Sequence, residues 1–85
     1  MPKTIHRTEY QVLLDLLREQ REAAGKTQTD CSEALGRSQS FISDVERGTR
    51  LLDLIQLRDI CLFLGISLET FVKRFEAKVG KRSAP

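Results

Sequence analysis

The run TQTDCSEALGRSQSFISDVERG, residues 27–48, carries two helix starts and two helix stops in close succession. Thr27 suits an N-cap, with Asp30 three residues on to return a hydrogen bond, and the first helix stops near Leu35. Gly36 stands where a tight turn between two helices demands a positive φ. Ser38 reads as the N-cap of a second helix, 38–47, that ends at Arg47-Gly48. At about 100° per residue, Phe41, Ile42 and Val45 share one side of this second helix, while Gln39, Ser40, Ser43, Asp44 and Arg47 fill a contiguous arc on the other.

Short polar side chains on an exposed arc add little to a fold, and the plain alternative is a solvated face. Amides and hydroxyls held close to a helix axis also suit hydrogen bonding to the edges of bases. Phe41 borders the apolar side and reads as packing.

The surrounding chain supplies three more helices. Thr8 caps a long first helix running to about Ala24 and ended by Gly25, with Tyr10, Leu13, Leu14, Leu17, Arg21 and Ala24 on one face and Val12 and Leu16 widening it. Asp53 caps a fourth helix with Gln56 at its third position. Leu54, Leu57, Ile60, Cys61 and Leu64 form its inward face, and Leu62 with Phe63 leave it apolar nearly all round, which predicts a central helix ended by Gly65. Ser67 caps a fifth helix with Ile66 and Phe71 as a hydrophobic staple; Leu68, Phe71, Val72, Phe75 and Val79 form its stripe, and Gly80 ends it. Residues 1–7, basic at Lys3 and Arg7, read as a flexible arm, 8–80 as the folded domain, and 81–85 as a frayed basic tail.

An 85-residue chain is one small domain, because halves of it would be too small to bury a core. Its hydrophobic share of 40 % and charged share of 31 % are ordinary for a globular protein, and no segment has the length and apolarity of a membrane span or signal peptide. A cytoplasmic protein is expected. The net charge of +2 says little, but its placement says more. Lys26, Arg37, Arg47 and Arg50 flank the second motif helix, whereas Glu9, Asp15, Glu19 and Glu22 lie on the first helix of the chain. Cys31 and Cys61 occupy apolar helical positions and read as core residues, with a disulfide or redox switch as the sharper alternative. The single histidine, His6, has no Cys/His cluster around it to support a zinc site.

The set Arg21, Gly25, Thr27-Gln28, Gly36, Ser38-Gln39, Ile42-Ser43 and Glu46-x-Gly48 resembles the Cro and phage-repressor type of helix-turn-helix, the xenobiotic-response-element-like or lambda-repressor-like family, over about residues 10 to 71. Three positions depart from the family pattern: Cys31 stands where Leu is usual, Ser32 where Ala is usual and Arg37 where Val is common. The resemblance implies an all-α, compact five-helix domain with the helix-turn-helix at its second and third helices. It further implies a regulator of transcription that binds double-stranded DNA, is prokaryotic or phage in origin, and acts as a homodimer on a two-fold related operator.

Carried onto this chain, the base-reading residues are Gln39 first, with Ser40, Ser43 and Asp44 second. Asp44 either accepts from cytosine or repels badly docked DNA. The phosphate contacts are Gln28, Arg37, Ser38, Arg47, Thr49 and Arg50, of which Gln28 follows from the resemblance alone. The resemblance also pairs Arg21 with Glu46, which the helical wheel places beside Ile42; two plain surface charges are the alternative. Phe75 and Val79, with Val12 or Leu16 beside them, are the candidate dimer contacts, unless the whole stripe folds back and the protein dimerises only on DNA. An antitoxin-like or anti-regulator interaction module using the stripe on helix 67–79 is the competing function. No nucleophile, base and orienter set and no phosphate-cradling glycine loop is present, so an enzyme is not expected; nor is a cofactor, metal, membrane or small-molecule ligand.

Overall fold

The computed structural model describes residues 7–83, and they form five helices: α1 (Thr8–Ala23), α2 (Gln28–Ala34), α3 (Phe41–Arg47), α4 (Leu54–Leu64) and α5 (Leu68–Ser83). Local side-chain chemistry starts three of them. The Thr27 hydroxyl accepts from the Asp30 N–H at 3.0 Å while the Asp30 carboxylate accepts from the Thr27 N–H at 2.9 Å. Asp53 and Gln56 make the same reciprocal pair at α4, and the Ser67 hydroxyl accepts from the Thr70 N–H at 3.0 Å to open α5. Each bond satisfies a donor that the first helical turn leaves without a partner inside the helix.

α1 packs on α5 and α3, α2 on α3 and α4, and α4 on α5. Between them lies one core of Leu14, Leu16, Leu17, Cys31, Phe41, Ile42, Val45, Ile60, Cys61 and Phe71. α2 and α3 have only 7 residues each, well under the length at which an isolated helix persists in water, so this shared core is what keeps them helical.

Several expectations are corrected. Thr8 is the first helical residue of α1, and the N-cap position belongs to Arg7, whose side chain turns to Glu9 instead of capping. Val12 and Leu16, offered as dimer contacts, are 2 % and 1 % exposed inside the monomer. α4 is not central: Ile60 and Cys61 are buried, but Leu54, assigned to its inward face, is 64 % exposed beside Ile55 at 65 %. An all-round apolar helix in so small a fold has neighbours on one side only, and its other side stays wet. α5 runs through Gly80 to Ser83, since glycine costs a helix only about 1 kcal/mol and does not by itself stop one. The frayed tail is therefore corrected for 81–83, while residues 84–85 and residues 1–6 of the expected arm lie outside the described residues. No helix among the described residues is long and apolar enough to cross a membrane.

Candidate nucleic-acid interface

The turn between α2 and α3 is held by a closed set of hydrogen bonds. Gly36, at φ +68°, donates its N–H to the Glu33 carbonyl and Arg37 donates its N–H to the Ser32 carbonyl, both at 3.0 Å. This doubly bonded, left-handed helix end fixes the backbone of Arg37 before α3 begins. Ser38 and Gln39 then lie ahead of α3, which starts at Phe41 and not at the capped Ser38 of the sequence reading. Ser40 occupies the N-cap position without using its side chain. The capping bond comes from α2 instead: the Ser32 hydroxyl, wholly buried, accepts from the Ile42 N–H at 3.0 Å. Ser32 replaces the family's usual alanine, and its hydroxyl anchors the end of α3 that faces outward. The departure from the family pattern was the only signal for it, and spacing within α3 could not supply the partner.

At the other end of α3, Arg21 grips Glu46. Its Nε lies 2.6 Å from Oε2 and its Nη2 3.1 Å from Oε1, with the two side chains only 10 % and 6 % exposed. Arg21 Nη1 donates to the Lys26 carbonyl at 2.8 Å, and Gln28 Nε2 adds a third bond to the Glu46 carboxylate at 2.9 Å. Hydrogen bonding to Glu46 raises the Arg21 pKa above its ordinary value and outweighs burial, which works the other way. A planar guanidinium meeting a carboxylate through two parallel bonds is the strongest arrangement available to such a pair. Gln28, placed at a phosphate by the resemblance, spends one amide hydrogen here and keeps one for an anion. α3 then ends at Gly48, φ +82°, with Gly48 and Thr49 donating to the Val45 and Asp44 carbonyls at 3.0 Å each.

Gln39, Ser40, Arg47, Thr49 and Arg50 are exposed, and Ser43 and Asp44 half-buried. Asp44 pairs with Arg47 one turn away, so these two charges neutralise each other on the face of α3. Thr49 donates its hydroxyl hydrogen to the Asp44 carbonyl at 3.1 Å, so it donates to a phosphate oxygen only by rotating away from that carbonyl. Arg37 and Arg50 have no acidic partner among the described residues; both guanidinium groups lie over the Phe41 ring, at 4.6 and 5.0 Å from its centroid. Lys26, grouped with them in the sequence, sits over Phe63 at 5.3 Å instead.

A helix-turn-helix domain model matches residues 12–71. An XRE-family-like protein from Pseudomonas syringae pv. tomato str. DC3000 is 45 % identical, with 88 % of this chain and 92 % of that one covered and a TM-score of 0.80. The chain belongs to the XRE-type helix-turn-helix family. A crystal structure of a tyrosine-to-phenylalanine mutant of the restriction-modification controller protein C.Esp1396I shares the fold at TM-score 0.77 and 23 % identity, with 86 % of this chain and 92 % of that one covered. No curated protein matches the chain.

In this XRE-type protein the fifth-helix stripe is not the open surface that its periodicity suggests. Phe71 is 1 % exposed, and Phe75 and Val79 are half-buried along a groove of about 340 Å³ shared with Tyr10 and Leu13 of α1. Val72, on the same stripe, is 40 % exposed. The largest exposed apolar side chains are instead Leu51, Leu54, Ile55 and Leu62, in the loop after α3 and along α4.

Proposed function

We propose that this protein is a sequence-specific regulator of transcription that binds double-stranded DNA as a homodimer on a two-fold related operator. Membership of the helix-turn-helix family implies DNA binding. The observation that carries the finer reading is the outer side of α3, where Gln39, Ser40 and Ser43 stand exposed or half-exposed while the guanidinium groups of Arg37 and Arg50, without a salt-bridge partner among the described residues, gather on the Phe41 ring at the start of the helix. In the major groove, Gln39 engages adenine through both its amide atoms, and the two serines serve as shorter donors and acceptors to neighbouring base edges. Arg37 and Arg50 together hold the phosphate backbone near the start of α3, joined by the exposed Ser38 and the remaining Gln28 amide hydrogen. Arg47 reaches a phosphate only by leaving Asp44, and Asp44 in turn serves better as a guard against badly docked DNA than as a reader.

A single module of this size buries too little surface on DNA for high specificity, and two copies on half-sites about one helical turn apart multiply it. The exposed Leu51 follows directly on Arg50, with Leu54 and Ile55 opening α4 just after it, and these side chains offer an apolar patch to a second copy. This surface replaces Phe75, Val79, Val12 and Leu16 as the dimer contact. The stripe that the competing interaction module needs is partly packed against α1, which favours the DNA-binding reading over it.

Selection of bound fragments from random duplex DNA, followed by mobility shifts at rising salt, tests the reading. The expected product is a two-fold related site whose half-sites are centred about 34 Å apart, with affinity falling steeply with salt. Failure to retain any duplex at low salt overturns it.

A further inference from the structure

Phe41 is 3 % exposed, yet two exposed arginines from opposite sides of α3 meet on its ring. Arg37 comes from the turn before the helix and Arg50 from the loop after it. The other arginines with charged partners use carboxylates: Arg7 with Glu9, Arg18 with Glu22, Arg21 with Glu46 and Arg47 with Asp44. Arg37 and Arg50 have none among the described residues. Two like charges gathered around one aromatic ring repel one another, and the ring quadrupole offsets that repulsion only in part. The arrangement is at its most favourable when an anion lies beside it.

We propose that Phe41 is a positioning residue for phosphate binding: its ring holds the Arg37 and Arg50 guanidinium groups as a preset pair that grips the DNA backbone at the N-terminal end of α3. This rests on the DNA-binding reading and extends it to a residue the sequence marks only as packing. A free arginine gives up much rotamer freedom when it binds. An arginine already held against a ring has given up part of it beforehand, and its N–H groups, none of them in a salt bridge among the described residues, stay free for a phosphate. The backbone bond from Arg37 to the Ser32 carbonyl holds one stem of the pair in place.

A double-mutant cycle on the full chain tests it. On the natural background, Arg37→Ala and Arg50→Ala should each weaken binding to duplexes of any sequence roughly fivefold to tenfold near 0.1 M salt, as loss of about one phosphate contact requires. On a Phe41→Leu background, which keeps an apolar side chain in the core, each should cost less than about twofold. Phe41→Tyr keeps the ring and should restore the full arginine effects. Equal fold-losses on both backgrounds overturn the proposal and leave Phe41 as core alone.

A readout without DNA separates this inference from the wider reading, and it does not depend on how Phe41→Leu folds. In the unmodified protein the side-chain Nε–H and Cδ–H protons of Arg37 and Arg50 should show upfield ring-current shifts by nuclear magnetic resonance. Shifts at random-coil positions overturn the inference whether or not the protein binds DNA. Shifts present with no duplex bound by the unmodified protein overturn the phosphate role together with the DNA-binding reading.

Discussion

At the C-terminal end of α3, Glu46 lies under Arg21 and Gln28 with every charge matched and almost no water. At its N-terminal end, Arg37 and Arg50 stand exposed against a phenylalanine ring with no carboxylate in salt-bridge contact among the described residues. The same short helix thus uses charge in two ways. Where charge is paired and buried it joins α3 to α1, and removing one partner leaves the other in a medium that cannot solvate it. Where charge is unpaired and exposed it adds little to the fold and remains available to a ligand. Burial and pairing, more than residue type, distinguish Arg21, which braces the fold, from Arg37 and Arg50, whose charge is left without a salt bridge among the described residues.

The largest effect that tests this division is at the buried end. Glu46→Leu should cost about 3–5 kcal/mol of unfolding free energy in urea, because Arg21 is left buried and unmatched. The double variant Arg21→Met with Glu46→Leu should recover most of that loss. If the single change costs under about 1 kcal/mol, the pair is not part of the frame and the comparison fails.

Next comes the bond that joins the two regions through α2. Ser32→Ala deprives the buried Ile42 N–H of its acceptor and should cost about 1–3 kcal/mol in the same urea titration. Gln39→Ala should show the reverse pattern. Stability stays within about 0.5 kcal/mol, while operator binding weakens by about 1–3 kcal/mol and preference relaxes at one base pair per half-site. Equal losses on operator and random duplex would remove Gln39 from the base-reading set.

A finer comparison separates the exposed arginines from one another. Arg50→Ala should lower the salt slope of binding by about one unit, and Arg47→Ala by less, because Arg47 must first give up Asp44. Identical slopes for the two variants would show that the Asp44 contact does not compete with DNA. The smallest expectation concerns the thiols. Burial raises both cysteines and pushes Cys61 up to about 11, so neither should react with a thiol reagent at pH 8 until the chain unfolds. Prompt labelling of the native protein would place one of them at the surface.

Much of the fold was legible because its signals are short-range. Thr27 with Asp30, Asp53 with Gln56, and Ser67 with Thr70 each settle a helix start within four residues of chain. The start of α3 was not legible, since Ser38 has the right chemistry for a cap but the acceptor that serves Ile42 lies ten residues back, in another helix. The exposure of α4 was hidden for a related reason: periodicity ranks the faces of a helix but does not count the neighbours available to cover them. Leu54 therefore looked like core and stands in water beside Ile55. Within the candidate site, the polar arc followed from the helical wheel. The meeting of Arg37 and Arg50 on Phe41 depends on a turn and a loop converging, which no spacing encodes.

The Ser32 bond also has a kinetic side. Neither α2 nor α3 is long enough to survive alone, and this contact ties the docking of one to the first turn of the other, so the two should open and close as a single unit. Amide hydrogen exchange would then report one opening free energy for Ile42 and for the α2 amides, instead of a frayed start to α3. A disturbance in α2, on a side that never meets a base, would reach the groove as a change in the fraction of time the reading end is formed.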